Sequence, residues 1–449
     1  MRYEGPKEDA ALFQPIVHTG RGFYVLVGAL LIIISWAALA FYRQLTLGLG
    51  VTGLNRPIFM GVYIVNFVFF IGLSHAGTLT SAILRIVKAE WRRPFTRAAE
   101  AITLFSLPFG AGSILLDLGR PDRLLNVIRY GSFQSPILWD VASVSLYMLS
   151  STFYFYFALL PDIAMCRDRL QDADSFRKRL YEILALGWTG SEKQYRRLNT
   201  VMDIMAVWLT MLVITVHTVV SWIFGMTIVP GWHTAFIGPY FLVGAILGGI
   251  AALSIVMFIL RKVYHLEEFV KPVHFRAVSL FLLALSLLWF YFTFTEFITI
   301  YYGNEPAHMA IFDAKLWEEF ASIFWPVVLL CFVIPVVVLA NPLTRTITGT
   351  VIVSVGINIG MWLERYTVVV PSLTRPRLPY GIGVYRPTWE EWAITAGSFA
   401  AFALLFTLFT KVFPVIAVWE VHEAREHSVH ETTERVRSYI PGPVPTSHE

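Results

Sequence analysis

The chain has 449 residues, of which 56% are hydrophobic, 15% aromatic and 15% charged, with mean hydropathy +0.62 and net charge +4. Soluble domains carry about 25% charged residues, so this chain has too little charge to cover the surface of one or two water-soluble domains. The composition excludes a soluble enzyme, a nucleic-acid-binding protein and a disordered chain. It predicts an all-α polytopic membrane protein.

A transmembrane helix needs about 20 apolar residues, and ten such stretches follow one another along the chain. They are predicted at Gly22–Tyr42, Ile58–Leu84, Ala98–Leu118, Pro136–Leu160 and Val201–Phe224, then at Phe236–Leu260, Ala277–Tyr302, Leu316–Ala340, Ile347–Val370 and Trp389–Val412. The first lacks the small-residue exit of a cleaved signal and reads as an anchored helix. Open sheet edges would stay unpaired in lipid, and the short alternation of barrel strands is missing. Residues 1–21 and 413–449 are then terminal segments, with five spans in 22–224 and five in 225–412.

Between spans four and five, Pro161–Thr200 contains RDRLQDADSFRKRLYEIL, expected as an amphipathic surface helix. The tail from Pro414 reads similarly and ends in an extended Pro-rich stretch, with His422, His427 and His430 expected in solvent. Gly244 with Gly248, and Gly356 with Gly360, suit close helix packing; Pro108, Pro326 and Pro335 are expected to bend spans three and eight. The N-terminal segment, the loops after even-numbered spans, and the tail together with Lys411 at the end of span ten hold 25 of the 35 Lys and Arg residues. That asymmetry places both termini in the cytoplasm.

Cys166 and Cys331 form no CxxC, haem-attachment or iron–sulfur pattern, and one lies in an apolar run, which argues against a disulfide. Redox chemistry in this chain would therefore use a diffusible or partner-held cofactor. Ionisable residues inside spans are costly and mark function by default: His75, Asp117, Asp140, Asp203, His217, Glu296, Glu364 and Arg365. Asp117 and Asp140 bracket an outer loop that holds Arg120, Asp122 and Arg123.

Each has a structural alternative. Asp203 serves equally as an interfacial helix start, His217, followed by Thr218, as a satisfied interhelical hydrogen bond, and Asp117 with Arg120 as a helix cap. Glu364 and Arg365 project about 100° apart on a helix and are expected to pair across helices, Arg365 with Glu296. Counting from span ends places His75 and His217 two or three helical turns apart in depth, which argues against a haem held by both. A secondary transporter would also bury ionisable groups, but no repeated pair of interrupted helices is found.

Five stretches carry a family resemblance: GLSHAGTLTSAILR at Gly72–Arg85, LLDLGRPDR at Leu115–Arg123, HTVVSWIFG at His217–Gly225, FYFTFTEFITIYYGNEP at Phe290–Pro306 and NIGMWLERYTVVVPSL at Asn358–Leu373. Together they resemble the NrfD-like family, the membrane subunits of polysulfide-reductase-type complexes, and within it the quinol-oxidising subunits of bacterial alternative complex III. The resemblance implies two four-helix bundles, spans two to five and six to nine, flanked by spans one and ten. It also implies a quinone, menaquinone or ubiquinone, bound near the periplasmic end of the first bundle in the inner membrane. No haem or iron–sulfur cluster would belong to this chain. Partners would be a periplasmic iron–sulfur subunit, a homologous NrfD-like subunit and c-type cytochrome subunits.

A quinol releases two protons as it gives up two electrons. Imidazole accepts one near neutral pH, and a desolvated carboxylate takes or relays the other. On this reading His75, Asp117 and Asp140 shape the headgroup site with Arg120 and Asp122. A proton path would run through Asp203, His217, Glu296, Glu364 and Arg365. A non-catalytic anchor of the same family is the alternative.

Overall fold

The computed structural model describes residues 2–89, 92–171, 174–377 and 381–423. Among the described residues ten helices are long and apolar enough to cross a membrane. They are α1 (Arg21–Leu47), α2 (Val62–Ile86), α3 (Thr96–Asp117), α4 (Pro136–Arg169), α5 (Glu192–Gly225), α6 (Ile237–Val263), α7 (Pro272–Gly303), α8 (Ala321–Ala340), α9 (Ile347–Thr374) and α10 (Trp389–Val412). The protein is an all-α polytopic membrane protein. Its one ladder among the described residues pairs Arg2–Tyr3 with Leu170–Gln171, two residues on each side. With ten crossings the described segments that precede α1 and follow α10 lie at one end, called here the terminal end; the other is the distal end.

Helix α4 runs to Arg169 and α5 starts at Glu192, each beyond its expected limit, and each has 34 residues. At 1.5 Å per residue that is about 51 Å, well over the hydrocarbon thickness of about 30 Å. Ser191 starts α5 with a capping box: its hydroxyl accepts the Gln194 N–H at 3.4 Å, and Gln194 Oε1 accepts the Ser191 N–H at 3.3 Å. Between α4 and α5, Ser175–Leu184 is a helix with only Tyr181 buried, as its charged sequence dictates.

Helix α2 is the hub, with 83% of its apolar window buried against 11% for α1. It touches α3, α5, α6, α9 and α10, and small residues make that possible. Gly77 lies against the Ala99 carbonyl of α3, and Gly249 of α6 faces Ala76 so closely that a Cβ there would overlap the Ala76 methyl. Helices α2–α5 close a ring of contacts, as do α6–α9, and α1 lies on α10. There Gly397 meets Ala37, and Trp36 stacks on Trp389 with centroids 6.5 Å apart.

Three local expectations are corrected. Gly244 faces the Arg365 guanidinium rather than a neighbouring backbone, and Gly248 faces Met361. The eighth span begins at Ala321; ahead of it, Pro306–Leu316 is a separate short helix. Within α8 a π-helical turn, Leu329–Val333, lies between Pro326 and Pro335, where the missing proline N–H groups interrupt the ladder. In the tail, His422 is not free in solvent: its Nε2 lies 2.9 Å from both Asp9 carboxylate oxygens. Val415–Val421 pack into the terminal end of the first ring. His427, His430 and the Pro-rich stretch lie outside the described residues.

Candidate functional site

A polar stripe follows one face of α2 at helical spacing: Ser74, His75, Thr78, Ser81 and Arg85. All five are buried, so each needs a partner from a neighbouring helix. Tyr147 of α4 supplies the first, its hydroxyl donating to the Ser74 carbonyl at 3.0 Å and lying 2.7 Å from Thr78 Oγ1. From α3, Thr103 donates to the same carbonyl at 2.8 Å and accepts from Thr78 at 3.2 Å. One turn on, Ser81 donates to Glu100 at 2.7 Å. At the terminal end Arg85 donates to Asp203 at 2.8 Å and lies 3.7 Å from Glu420.

His75 turns the other way, toward α5. Its Nδ1 is 2.9 Å from Nδ1 of His217, and the two rings meet edge to face at 83° with centroids 4.9 Å apart. The depth difference expected from the sequence does not exist. Helix α5 is longer than the membrane is thick, so position along it does not measure depth. An Nδ1-to-Nδ1 bond requires one imidazole to donate and the other to accept. One Nε2 is therefore a bare lone pair and the other an N–H. Both are buried with no partner among the described residues.

The distal carboxylates stand apart from this pair. Asp140 lies two turns of α4 beyond Tyr147, about 10 Å along the axis. It is 4% exposed, and its Oδ1 has no partner among the described residues. Asp117 lies fourteen residues beyond Thr103 on α3, about 21 Å, and its electrostatic neighbour is Glu391 of α10. Arg120 and Asp122 form an exposed pair at 3.1 Å in the distal loop, and Arg120's hydrogen bonds hold the Asp122 carboxyl below its ordinary value. The structure therefore brings His75 to His217, sets Asp140 within two turns, and leaves Asp117, Arg120 and Asp122 elsewhere.

Across the seam between the rings, Phe241 of α6 separates His217 from Arg365. The Phe241 ring centroid lies 6.3 Å from that of His217, and the Arg365 guanidinium sits 4.8 Å over its face and donates to its carbonyl at 3.3 Å. Arg365 pairs with Glu364, Nη1 to Oε2 at 3.0 Å, and not with Glu296 as expected. The contact lacks hydrogen-bond alignment: that Nη1 and both Glu364 oxygens have no hydrogen-bond partner among the described residues. Adjacent helical side chains diverge, so the two charges approach without aligning. The cation that acts on Glu296 is Lys315, in the short helix Pro306–Leu316. Burial pushes the Lys315 ammonium below its ordinary value, while Glu296 and Glu364 oppose the shift.

Sequence reasoning missed several charged residues that the fold places inside. Arg97 and Asp162 form a pair at 2.6 Å, 1% and 0% exposed, at points assigned to loop ends. Glu391 accepts the Gly53 N–H at 2.7 Å and the Tyr385 hydroxyl at 2.5 Å. Burial and Glu391 together push the Tyr385 phenol up. The signal for Glu391 was present, since Thr388-x-x-Glu391 is a capping-box pattern and the box forms. No group of three His, Cys, Asp or Glu among the described residues has the geometry of a metal site.

These helices, with a buried polar stripe and unpaired imidazole and carboxylate atoms inside, define an integral membrane protein with a polar interior. The chain belongs to the NrfD family: residues 50–377 match the model for polysulphide reductase, NrfD. It is similar to a putative dimethyl sulfoxide reductase membrane subunit from Halobacterium salinarum, 28% identical over 256 residues, covering 56% of this chain and 54% of the relative. A selenate reductase subunit from Mesobacillus selenatarsenatis is 25% identical over 158 residues, 35% of this chain and 36% of the relative. An Hdr-like menaquinol oxidoreductase integral membrane subunit from Archaeoglobus fulgidus is 23% identical over 381 residues, 82% of this chain and 84% of the relative. The chain thus spans about half the length of the first of these relatives and about a third of the second.

Proposed function

We propose that this chain is the quinol-oxidising membrane subunit of a multi-subunit electron-transfer complex, of the alternative complex III type and closest to its ActC subunit. The observation that carries the reading is the buried His75–His217 pair with two unpartnered Nε2 atoms. A relative that matches over most of both lengths is named as a menaquinol oxidoreductase subunit, which supports a quinol as the substrate. Menaquinol or ubiquinol would bind near the distal, periplasmic end of the first ring and give its electrons to a partner iron–sulfur subunit. A homologous NrfD-like subunit and c-type cytochrome subunits would complete the assembly in a bacterial inner membrane, with both termini cytoplasmic.

The residues fit such a substrate at two points. The two oxygens of a para-quinol plus one hydrogen bond at each end span on the order of 11 Å. Asp140 and the histidine level are separated by a comparable rise. His75 would accept one hydroxyl proton and the free Asp140 oxygen would orient or accept the other, while the apolar wall excludes water. Arg120 and Asp122 would face the partner rather than the ring, and Asp117, its Oδ1 buried on the side of Glu391, would face neither. Protons taken by the pair would leave inward along the α2 stripe to Arg85 and Asp203, or laterally past Arg365 and Glu364 to Glu296.

The test uses the intact complex purified with its partners. His75→Ala and Asp140→Asn are each expected to lower quinol-dependent reduction of the acceptor at least tenfold while the complex stays assembled. Unchanged turnover in both would favour a non-catalytic anchor and overturn the reading.

A further inference from the structure

Two cavities meet on the second side of the seam, away from Asp140. One, about 560 Å³, is a groove along the outer faces of α5 and α6 with walls from Ile214, Trp222, Met226, Ile237, Pro239 and Leu242. The other, about 280 Å³, lies at the distal end of α7 and holds His233, Glu296, Thr299, Glu305 and His308. Thr234 and Ala235 line both, so the groove and the polar chamber adjoin at these two residues. Together they fall within the range of about 300–1,000 Å³ typical of small-molecule sites.

The chemistry changes along this space in one direction. The groove follows α5 from Ile214 to Met226, about 18 Å of helix, and its walls are almost wholly apolar. The chamber ends on Glu296, whose carboxylate makes no hydrogen bond and no ion pair within 4 Å among the described residues. His308 lies opposite: its Nδ1 accepts the Gly231 N–H at 3.4 Å, and its Nε2 is 3.6 Å from Glu305. Such a space suits a molecule with a long hydrocarbon tail and a compact head that donates or accepts hydrogen bonds. Lys315 acts on Glu296 and Arg377 pairs with Glu305, so each of the two carboxylates is opposed by a cation.

We infer that the α5–α6 groove and the Glu296 chamber form a second binding site for an isoprenoid quinone, distinct from the Asp140 region, with the tail in the groove and the ring against Glu296 and His308. The site rests on the quinol reading above for the identity of the ligand, and it is proposed as a binding site without an electron-transfer step. A compact ring with an oxygen at each end offers a hydrogen-bond partner to both Glu296 and His308, which line the chamber. His217 lies about a quarter-turn around α5 from the groove, one residue before Thr218, which lines it. Occupancy would therefore reach the histidine pair through a single helix.

A photoreactive naphthoquinone with an isoprenoid tail tests this on the intact complex. Adducts are expected on Trp222–Leu242 and on Glu296–His308, displaced by unlabelled menaquinone and not by an equal amount of anionic or zwitterionic phospholipid. Ala235→Trp, at an exposed position in the neck between the two cavities, is expected to cut labelling there at least fivefold, and Glu296→Gln to cut labelling of the chamber. Labelling confined to α3, α4 and the loop between them would overturn the second site and leave the first intact. Displacement by phospholipid as efficiently as by menaquinone would also overturn it, by making the groove an ordinary lipid contact. Loss of turnover in Asp140→Asn with groove labelling unchanged separates the two sites.

Discussion

The two four-helix rings bury polarity in opposite ways. In the first, the stripe at the histidine level is uncharged in composition: hydroxyls, a phenol and two imidazoles follow α2, and hydrogen bonds join them from helix to helix. Its ion pairs, Arg97 with Asp162 and Arg85 with Asp203, are held at the terminal end, while the buried carboxyls of Glu100 and Asp140 each keep an oxygen with no hydrogen-bond partner among the described residues. In the second ring the charges lie deep. Glu364 and Arg365 touch without aligned hydrogen bonds, and Lys315 reaches in from a short helix beyond the spans. A neutral ladder can pass a proton with little rearrangement. A misaligned ion pair in low dielectric carries a desolvation penalty that its attraction only partly offsets, so it responds strongly to any added or lost charge nearby.

The largest expected effect removes a charge from the first ring's paired end. Arg97→Ala leaves the Asp162 carboxylate, 0% exposed, without its cation, and stranding one member of a buried pair costs about 3–5 kcal/mol. Thermal unfolding in detergent should shift downward by several degrees, or the folded protein should fail to accumulate. Asp162 also accepts the N–H groups of Val418 and Trp419, each at 3.2 Å, so the tail should become protease-sensitive in the same variant. If Arg97→Ala unfolds like the parent, the terminal end is not held by this pair and the contrast with the second ring fails.

A smaller effect is expected from Gly244→Ala. A Cβ on Gly244 would lie 2.7 Å from Arg365 Nη2, so the guanidinium must move off Phe241. Overpacking of this kind costs about 1–3 kcal/mol. The stability loss should be accompanied by altered proton release per electron in the reconstituted complex, while Gly248→Ala, facing Met361 at ordinary contact distance, should change neither. Equal behaviour of the two variants would reduce the Arg365 position to packing.

Hydropathy showed the ten spans because burial in lipid selects residue by residue along the chain. It did not show the helix lengths, since α4 and α5 continue into water on Arg167, Arg169 and Glu192, where hydropathy ends but hydrogen bonding does not. The site was legible as residue types, not as an arrangement. His75 and His217 stood out as histidines inside apolar runs, yet their contact depends on how two helices of different length are offset. Asp117 and Asp140, close to one loop in the sequence, lie on different faces. The pairing of Arg365 with its own neighbour, and the chamber at Glu296, depend on glycines whose role is visible only when the facing side chain is known.

The smallest expected effect lies outside both rings and checks what the loop is for. Arg120 and Asp122 bond to each other in solvent, where salt and water screen the attraction. The bond lowers the Asp122 pKa, so whatever stability it gives is present above the unfolded carboxylate's range and is lost as pH falls through the folded value. Near neutral pH the carboxylate is ionised with or without Arg120. Arg120→Gln should therefore leave the unfolding temperature at pH 7 unchanged and should leave protonation of Asp122 unchanged there as well. If the variant nonetheless slows electron transfer in the assembled complex, and raised salt slows the parent by the same route, the loop acts by docking a partner's complementary charge. If turnover is insensitive to both, the exposed pair has no part in the site, and the working residues are confined to the buried stripe and the seam.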